Sequence, residues 1–172
     1  MGCRIGQFLG KWLKISLCIL LISIALVNLK SQPALASIRQ MLEAPGQILI
    51  QSRHTLNDEQ GNAWQVVLFK RSQADGSTMI HLRLVDFPEL ADFEHPQPLT
   101  ITTNAGDLFQ ASDIFADKSP APNVGEFDLQ TILFQLPITK LNLSLTMKDN
   151  ISTNLSIPTE VVLEWQSIGN QN

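Results

Sequence analysis

Tyrosine is absent from this chain, cysteine occurs twice and histidine three times in 172 residues. Both cysteines, Cys3 and Cys18, fall within the first 36 residues, so the remainder can form neither a disulfide nor a thiolate metal site. None of His54, His81 and His95 lies three or four residues from another, which excludes the usual histidine spacing of a zinc site. A lone histidine on a strand reads as structural. Basic residues are scarce as well. Four of the twelve, and none of the sixteen acidic residues, lie in the first 36; residues 37–172 have eight basic against sixteen acidic side chains, a net charge of −8. Phosphate binding needs clustered Lys and Arg, so no nucleic-acid partner is expected. Beyond the first 36 residues Trp64 and Trp165 are the only tryptophans, too few for a sugar-binding platform, and both read as core. There is no Gly-x-Ser-x-Gly elbow, P-loop or dinucleotide fingerprint, and neither a cofactor nor a metal is expected.

What the first 36 residues do contain is a secretory signal. Arg4, Lys11 and Lys14 form a positive start, Ile15 to Leu29 is an apolar run, and Pro33-Ala34-Leu35-Ala36 ends in the small-x-small pattern that a signal peptidase accepts. Cleavage between Ala36 and Ser37 is the natural reading, giving a Sec signal at 1–36 and a single domain at 37–172. The competing reading is an uncleaved anchor, with residues 15–29 holding the protein in a membrane. A lipoprotein signal fits poorly, because Cys18 follows Leu17 inside the apolar run. The 136 residues left after cleavage are a normal size for one domain with its own core.

Periodicity makes that domain mainly β. Ile48, Ile50, Ser52, His54 and Leu56 alternate with Leu49, Gln51, Arg53 and Thr55; Asn57 to Asn62 supplies turn chemistry, and Ala63 to Arg71 follows with both faces apolar. Thr78 to Asp86 alternates cleanly after a turn at Gln73 to Ser77, and Leu99 to Thr103 and Leu108 to Ala111 flank a hairpin turn at Asn104 to Asp107. Leu141 to Met147 and Ile151 to Ile157 form one more pair. Two segments have a helical period: Leu129, Ile132, Leu133 and Leu136 behind Asp128, and Val161, Val162, Trp165 and Ile168 behind Pro158-Thr159-Glu160; in the second, Val161, Leu163 and Trp165 also fit a strand, and the proline and glutamate at its start favour the helix. The expected fold is all-β, an antiparallel sandwich or small barrel with one or two short helices, preceded by the signal helix.

Two connections exceed ordinary loop lengths, Phe87 to Pro98 and Asp113 to Glu126, and long loops are where binding residues concentrate. The first carries the densest acidic cluster. Asp86, Glu89, Asp92 and Glu94 with His95 are the candidate binding residues; they lack the alternating ligands and glycine of a calcium loop, so a solvated surface loop is the plainer reading.

Asp58 to Arg71, Leu82 to Pro88, Pro98 to Thr103, Asn123 to Gln130 and Glu164-Trp165-Gln166 together resemble the DUF3122 family of cyanobacterial proteins. The resemblance spans nearly all of the exported part. It implies a cyanobacterial host, hence the periplasm or the thylakoid lumen, and it brings no catalytic residue with it. The expected function is an exported, non-catalytic binding or accessory domain that meets a protein or membrane complex through its long loops. The alternatives are a hydrolase of an envelope substrate, with the Asp86 to His95 loop supplying acid and base, and an accessory protein that keeps its signal as an anchor. Membrane contact is expected only through that segment.

Overall fold

The computed structural model describes residues 38–87, 92–115 and 119–171. The expected signal segment and the cleavage site expected at Ala34, Ala36 and Ser37 lie outside the described residues.

The described residues form nine antiparallel strands in one open sheet and a C-terminal helix. The strands are β1 (Arg39–Ala44), β2 (Gln47–Asn57), β3 (Ala63–Ser72), β4 (Thr78–Val85), β5 (Leu99–Thr103), β6 (Leu108–Asp113), β7 (Val124–Asp128), β8 (Leu141–Thr146) and β9 (Ser152–Ile157), followed by helix α1 (Thr159–Asn170). Their order in the sheet is β1-β2-β3-β4-β7-β6-β5-β8-β9. The sheet curls until residues at the end of β2 meet β9 through a single bridge, Asp58 to Leu155. Barrel-like curvature thus comes with one lone bridge where a closed barrel would have a ladder.

Alternation decides which face turns inward. On β3, Trp64, Val66 and Leu68 join the central core, while Val67 and Phe69 form a small outer cluster with Leu49. Ile80, Leu82 and Leu84 of β4, Leu99 and Ile101 of β5, and Leu141, Leu143 and Leu145 of β8 all face the same core. Two apolar faces on one strand are what a central position requires, since each needs a covering partner.

Helix α1 packs on β2 and β3 and buries Val161, Val162, Trp165, Ile168 and Gly169, a stripe of helical period. Val161 and Val162 donate backbone hydrogen bonds to Pro158, which sits at the helix start. At the other end Lys70, on the inner face of β3, donates to the carbonyls of Gly169 (2.8 Å) and Gln171 (2.5 Å). Its buried ammonium thus caps carbonyls at the negative end of the helix dipole.

Three expectations change. The helix anticipated over Leu129 to Leu136 is a run of turns: Leu133 and Leu136 donate to carbonyls four residues back, Ile132 and Gln135 three back, and no continuous ladder forms. Asp128 does accept from the Gln130 N–H as a cap would, and Leu129, Leu133 and Leu136 are buried. So few residues before Pro137 do not build a continuous helix, and burial of Leu129, Leu133 and Leu136 holds the turns together with these scattered hydrogen bonds. The second change is β7, which takes the end of the supposed connection from Asp113 to Glu126 into the middle of the sheet. The third concerns the supposed surface loop from Phe87 to Pro98. Phe93 within it is 4% exposed and belongs to the core, where it meets Trp64 edge-on at 5.9 Å between ring centroids.

Candidate functional site

The turn from β2 to β3 is built around one carboxylate. Asp58 Oδ1 accepts from the backbone N–H of Gln60 (2.9 Å) and of Asn62 (2.8 Å), while Oδ2 accepts from Asn62 Nδ2 (3.0 Å) and Trp64 Nε1 (3.1 Å). Gly61 between them has φ +91°, a backbone state open to glycine and strained for other residues. Burial opposes ionisation of Asp58, but the hydrogen bonds from Trp64, Asn62 and Gln60 outweigh it and hold the carboxyl below the usual aspartate range.

Beside this turn lies a pocket of about 330 Å³ lined by Asp58, Asn62, Trp64, Asp86, Asp92, Met147, Lys148, Asp149, Ile151 and Thr153. Four chain segments converge here: the β2–β3 turn, the end of β4, the loop before β5, and the connection from β8 into β9. Asp86 follows β4 and is 4% exposed. Its Oδ1 accepts from the Phe87 N–H at 2.7 Å, and Asn123 Nδ2 pins its backbone carbonyl at 2.6 Å. Its Oδ2 has no hydrogen-bond partner among the described residues. Burial pushes the Asp86 carboxyl above the usual range; the Phe87 N–H opposes this and the charge of Asp58 adds to it. Thr153, on the inner face of β9 and 9% exposed, likewise has no side-chain partner among the described residues.

The remaining sequence candidates scatter around this point. Asp92 reaches the exposed rim and pairs with Lys148 at 2.7 Å; that hydrogen bond and the Asp92 charge raise the pKa of Lys148. Glu94 is half-buried, its backbone N–H donating to Thr146. His95 turns away to Asp113, with Nδ1 2.6 Å from Oδ2, and stacks on Phe93. Glu89 lies outside the described residues. Asp86 and Asp92 therefore share the pocket, whereas Glu94 and His95 do not line it. Sequence reasoning missed Asp58 and Thr153. The signal for Asp58 was the Asp-x-x-Gly-Asn turn; for Thr153 there was none, because β9 reaches β2 only through the curl of the sheet.

Each of the three histidines meets one carboxylate. His81 Nδ1 is 2.7 Å from Glu126, whose other oxygen accepts from Arg83. Burial opposes ionisation of Glu126, but these two partners outweigh it and lower its pKa. His54 Nε2 lies 3.3 Å from Glu164 on α1, without hydrogen-bond alignment. No group of three His, Cys, Asp or Glu among the described residues could hold a metal ion. No helix among them is long and apolar enough to cross a membrane.

Chemically the pocket is lopsided. Asp58 is firmly ionised but has four donors on its two oxygens, so it is poorly placed to act as a base or ligand. Asp86 has an open oxygen and shares the lining with the Thr153 hydroxyl and with Lys148, which Asp92 engages, but no histidine is among the lining residues. The arrangement can hold a ligand and lacks the base-and-orienter pairing of an activated nucleophile.

The family model described as "Protein of unknown function (DUF3122)" matches residues 36–168. No curated protein and no solved structure matches the chain.

Proposed function

The chain belongs to the DUF3122 family, and from that premise we propose that it is an exported, non-catalytic binding domain of the periplasm or thylakoid lumen of a cyanobacterium. Its working end is the loop end that holds the Asp58–Asp86 pocket. The observation that carries this is a preformed pocket lined by two buried polar groups with bonding capacity to spare, Asp86, whose Oδ1 alone has a partner among the described residues, and the Thr153 hydroxyl. Pockets with a few fixed polar groups on rigid elements are how binding domains obtain specificity. Export rests on the Ala34/Ala36 processing pattern, and the accessory role is to meet a protein or membrane complex through the loops around the pocket.

Recovery of the tagged full chain from the exported fraction of native cells tests this. Native mass spectrometry of that material should show a retained small molecule, a co-purifying protein, or both. Bare monomer combined with hydrolysis of an envelope substrate that Asp86→Asn abolishes would replace this reading with the hydrolase.

A further inference from the structure

The lining of the pocket has the charge of four carboxylates against one ammonium, Lys148, and that ammonium is already engaged by Asp92 at the rim. The interior charge therefore rests with Asp58 and Asp86, and Asp149 adds to it. Asp58 has its oxygens filled by four N–H donors, so it contributes charge without offering an acceptor. The acceptors on offer are Asp86 Oδ2 and the Thr153 hydroxyl, both on residues at least nine-tenths buried. Met147 and Ile151 supply apolar wall.

A divalent metal fits this poorly. Calcium takes about six to eight oxygen ligands, and no described group of three His, Cys, Asp or Glu could hold a metal. The pocket's roughly 330 Å³ is also far more room than an ion needs. A cation that brings its own N–H donors meets the site on better terms, since it needs acceptors at hydrogen-bond distance and no closed coordination shell.

We propose that the pocket receives an organic ammonium group, hydrogen-bonded to Asp86 and Thr153 under the negative potential of Asp58, with its carbon chain against Met147 and Ile151. The proposal rests on reading this pocket as the ligand site. The ammonium comes either from a free small amine or from the lysine side chain of a partner protein; the chemistry is shared.

Isothermal titration calorimetry of the purified full chain distinguishes these, with four probes: 1,4-diaminobutane, Nα-acetyl-lysine amide, the neutral isostere 1,4-butanediol, and calcium chloride. One of the two amines should bind, identifying the source, while the diol and calcium should not. Asp86→Asn keeps the shape and removes the charge, and should weaken amine binding about tenfold, the worth of one charge-assisted hydrogen bond. Thr153→Val gives a second variant that leaves the carboxylates untouched and should weaken it less. Equal binding of diamine and diol, unchanged in Asp86→Asn, would overturn the ammonium assignment and leave the pocket as a ligand site. Calcium binding in place of the amines would overturn it as well. Silence from all four probes, with nothing retained in native mass spectrometry, would sink both the ammonium and the pocket.

Discussion

Trp64 donates its indole N–H to the Asp58 carboxylate at 3.1 Å, joining the core of the sheet to the turn that frames the pocket. The other buried tryptophan, Trp165 on α1, has its indole nitrogen buried without a partner. Two residues of the same type, 1% and 0% exposed, should therefore respond differently to the same change. Trp64→Phe loses a hydrogen bond to a charged acceptor and should cost about 1.5–3 kcal/mol beyond the volume lost. Trp165→Phe loses volume but also removes an unsatisfied donor, which offsets part of the cost. Urea midpoints at equal m-values should rank Trp64→Phe as the less stable variant.

Asp58 and Asp86 should give opposite pH dependences. The folded pKa of Asp58 is depressed, so its contribution is present above the unfolded value of about 3.9 and is lost as pH falls through the folded value. Asp58→Asn should thus destabilise at pH 7, with the difference shrinking below pH about 4. Asp86 is raised: as pH climbs from its unfolded value through its folded one, the unfolded state sheds the proton first and stability falls. Asp86→Asn should therefore be more stable than the native chain at pH 7 and indistinguishable from it near pH 3. Thermal midpoints of the three proteins from pH 3 to 8 would show whether the curves part in these directions.

Lys70 provides a separate test of how α1 is held. The residue is 8% exposed, and its ammonium donates to two carbonyls at the helix end. Lys70→Met keeps the apolar stem and removes the charge-assisted donors, at a cost of about 1.5–3 kcal/mol. Hydrogen exchange should quicken first at the C-terminal amides of α1, ahead of those in β3.

The exported protein should begin at Ser37. Intact mass of material from the exported fraction measures this directly, and Met1 retained in carbonate-washed membranes would favour the anchor.

Much of the sheet was legible because its hairpins combine strict alternation with turn chemistry: β2 with β3 across Asn57 to Asn62, β5 with β6 across Asn104 to Asp107, β8 with β9 across Lys148 to Asn150. The C-terminal helix was only partly legible: Val161, Leu163 and Trp165 fit a strand as well as a helix, and Pro158 and Glu160 favoured the helix that forms. Strand β1 was not, since Arg-Gln-Met-Leu-Glu-Ala is almost wholly exposed, lacks alternation and pairs only with the first residues of β2, at the edge of the sheet. Strand β7 was hidden by its glycine and two acidic residues: Glu126 meets His81 and Arg83 and Gly125 makes room for Phe93, both tertiary reasons, while Asp128 caps the turn that follows. In the pocket, Asp86 was legible as an acidic candidate. Asp92 was too, but Asp58 comes beside Asp86 only through the pairing of β2, β3 and β4, and Thr153 only when the sheet curls to bring β9 to the end of β2.

The loop that carries Asp92 to the pocket rim is anchored one residue later, and that anchor can be tested at Gly125. A Cβ built there would lie 2.5 Å from Phe93 Cε1, 2.8 Å from Cδ1 and 2.9 Å from Cζ. The ring cannot easily retreat. Trp64 meets it edge-on, Phe127 lies 6.4 Å away between centroids, and His95 stacks at 6.0 Å. Gly125→Ala would normally gain about 0.5 kcal/mol from reduced unfolded-chain entropy, but forcing a methyl into a filled site costs about 1–3 kcal/mol, so the net change should be destabilising. Phe93→Leu empties part of the ring's volume and is itself destabilising. If the clash is the cause, the double variant should be more stable than the two single losses added together, with a coupling of about 0.5–3 kcal/mol in urea melts. Simple additivity, or a neutral Gly125→Ala, would mean that Phe93 does not pack over β7, and that the approach of Asp92 to Lys148 has some other support.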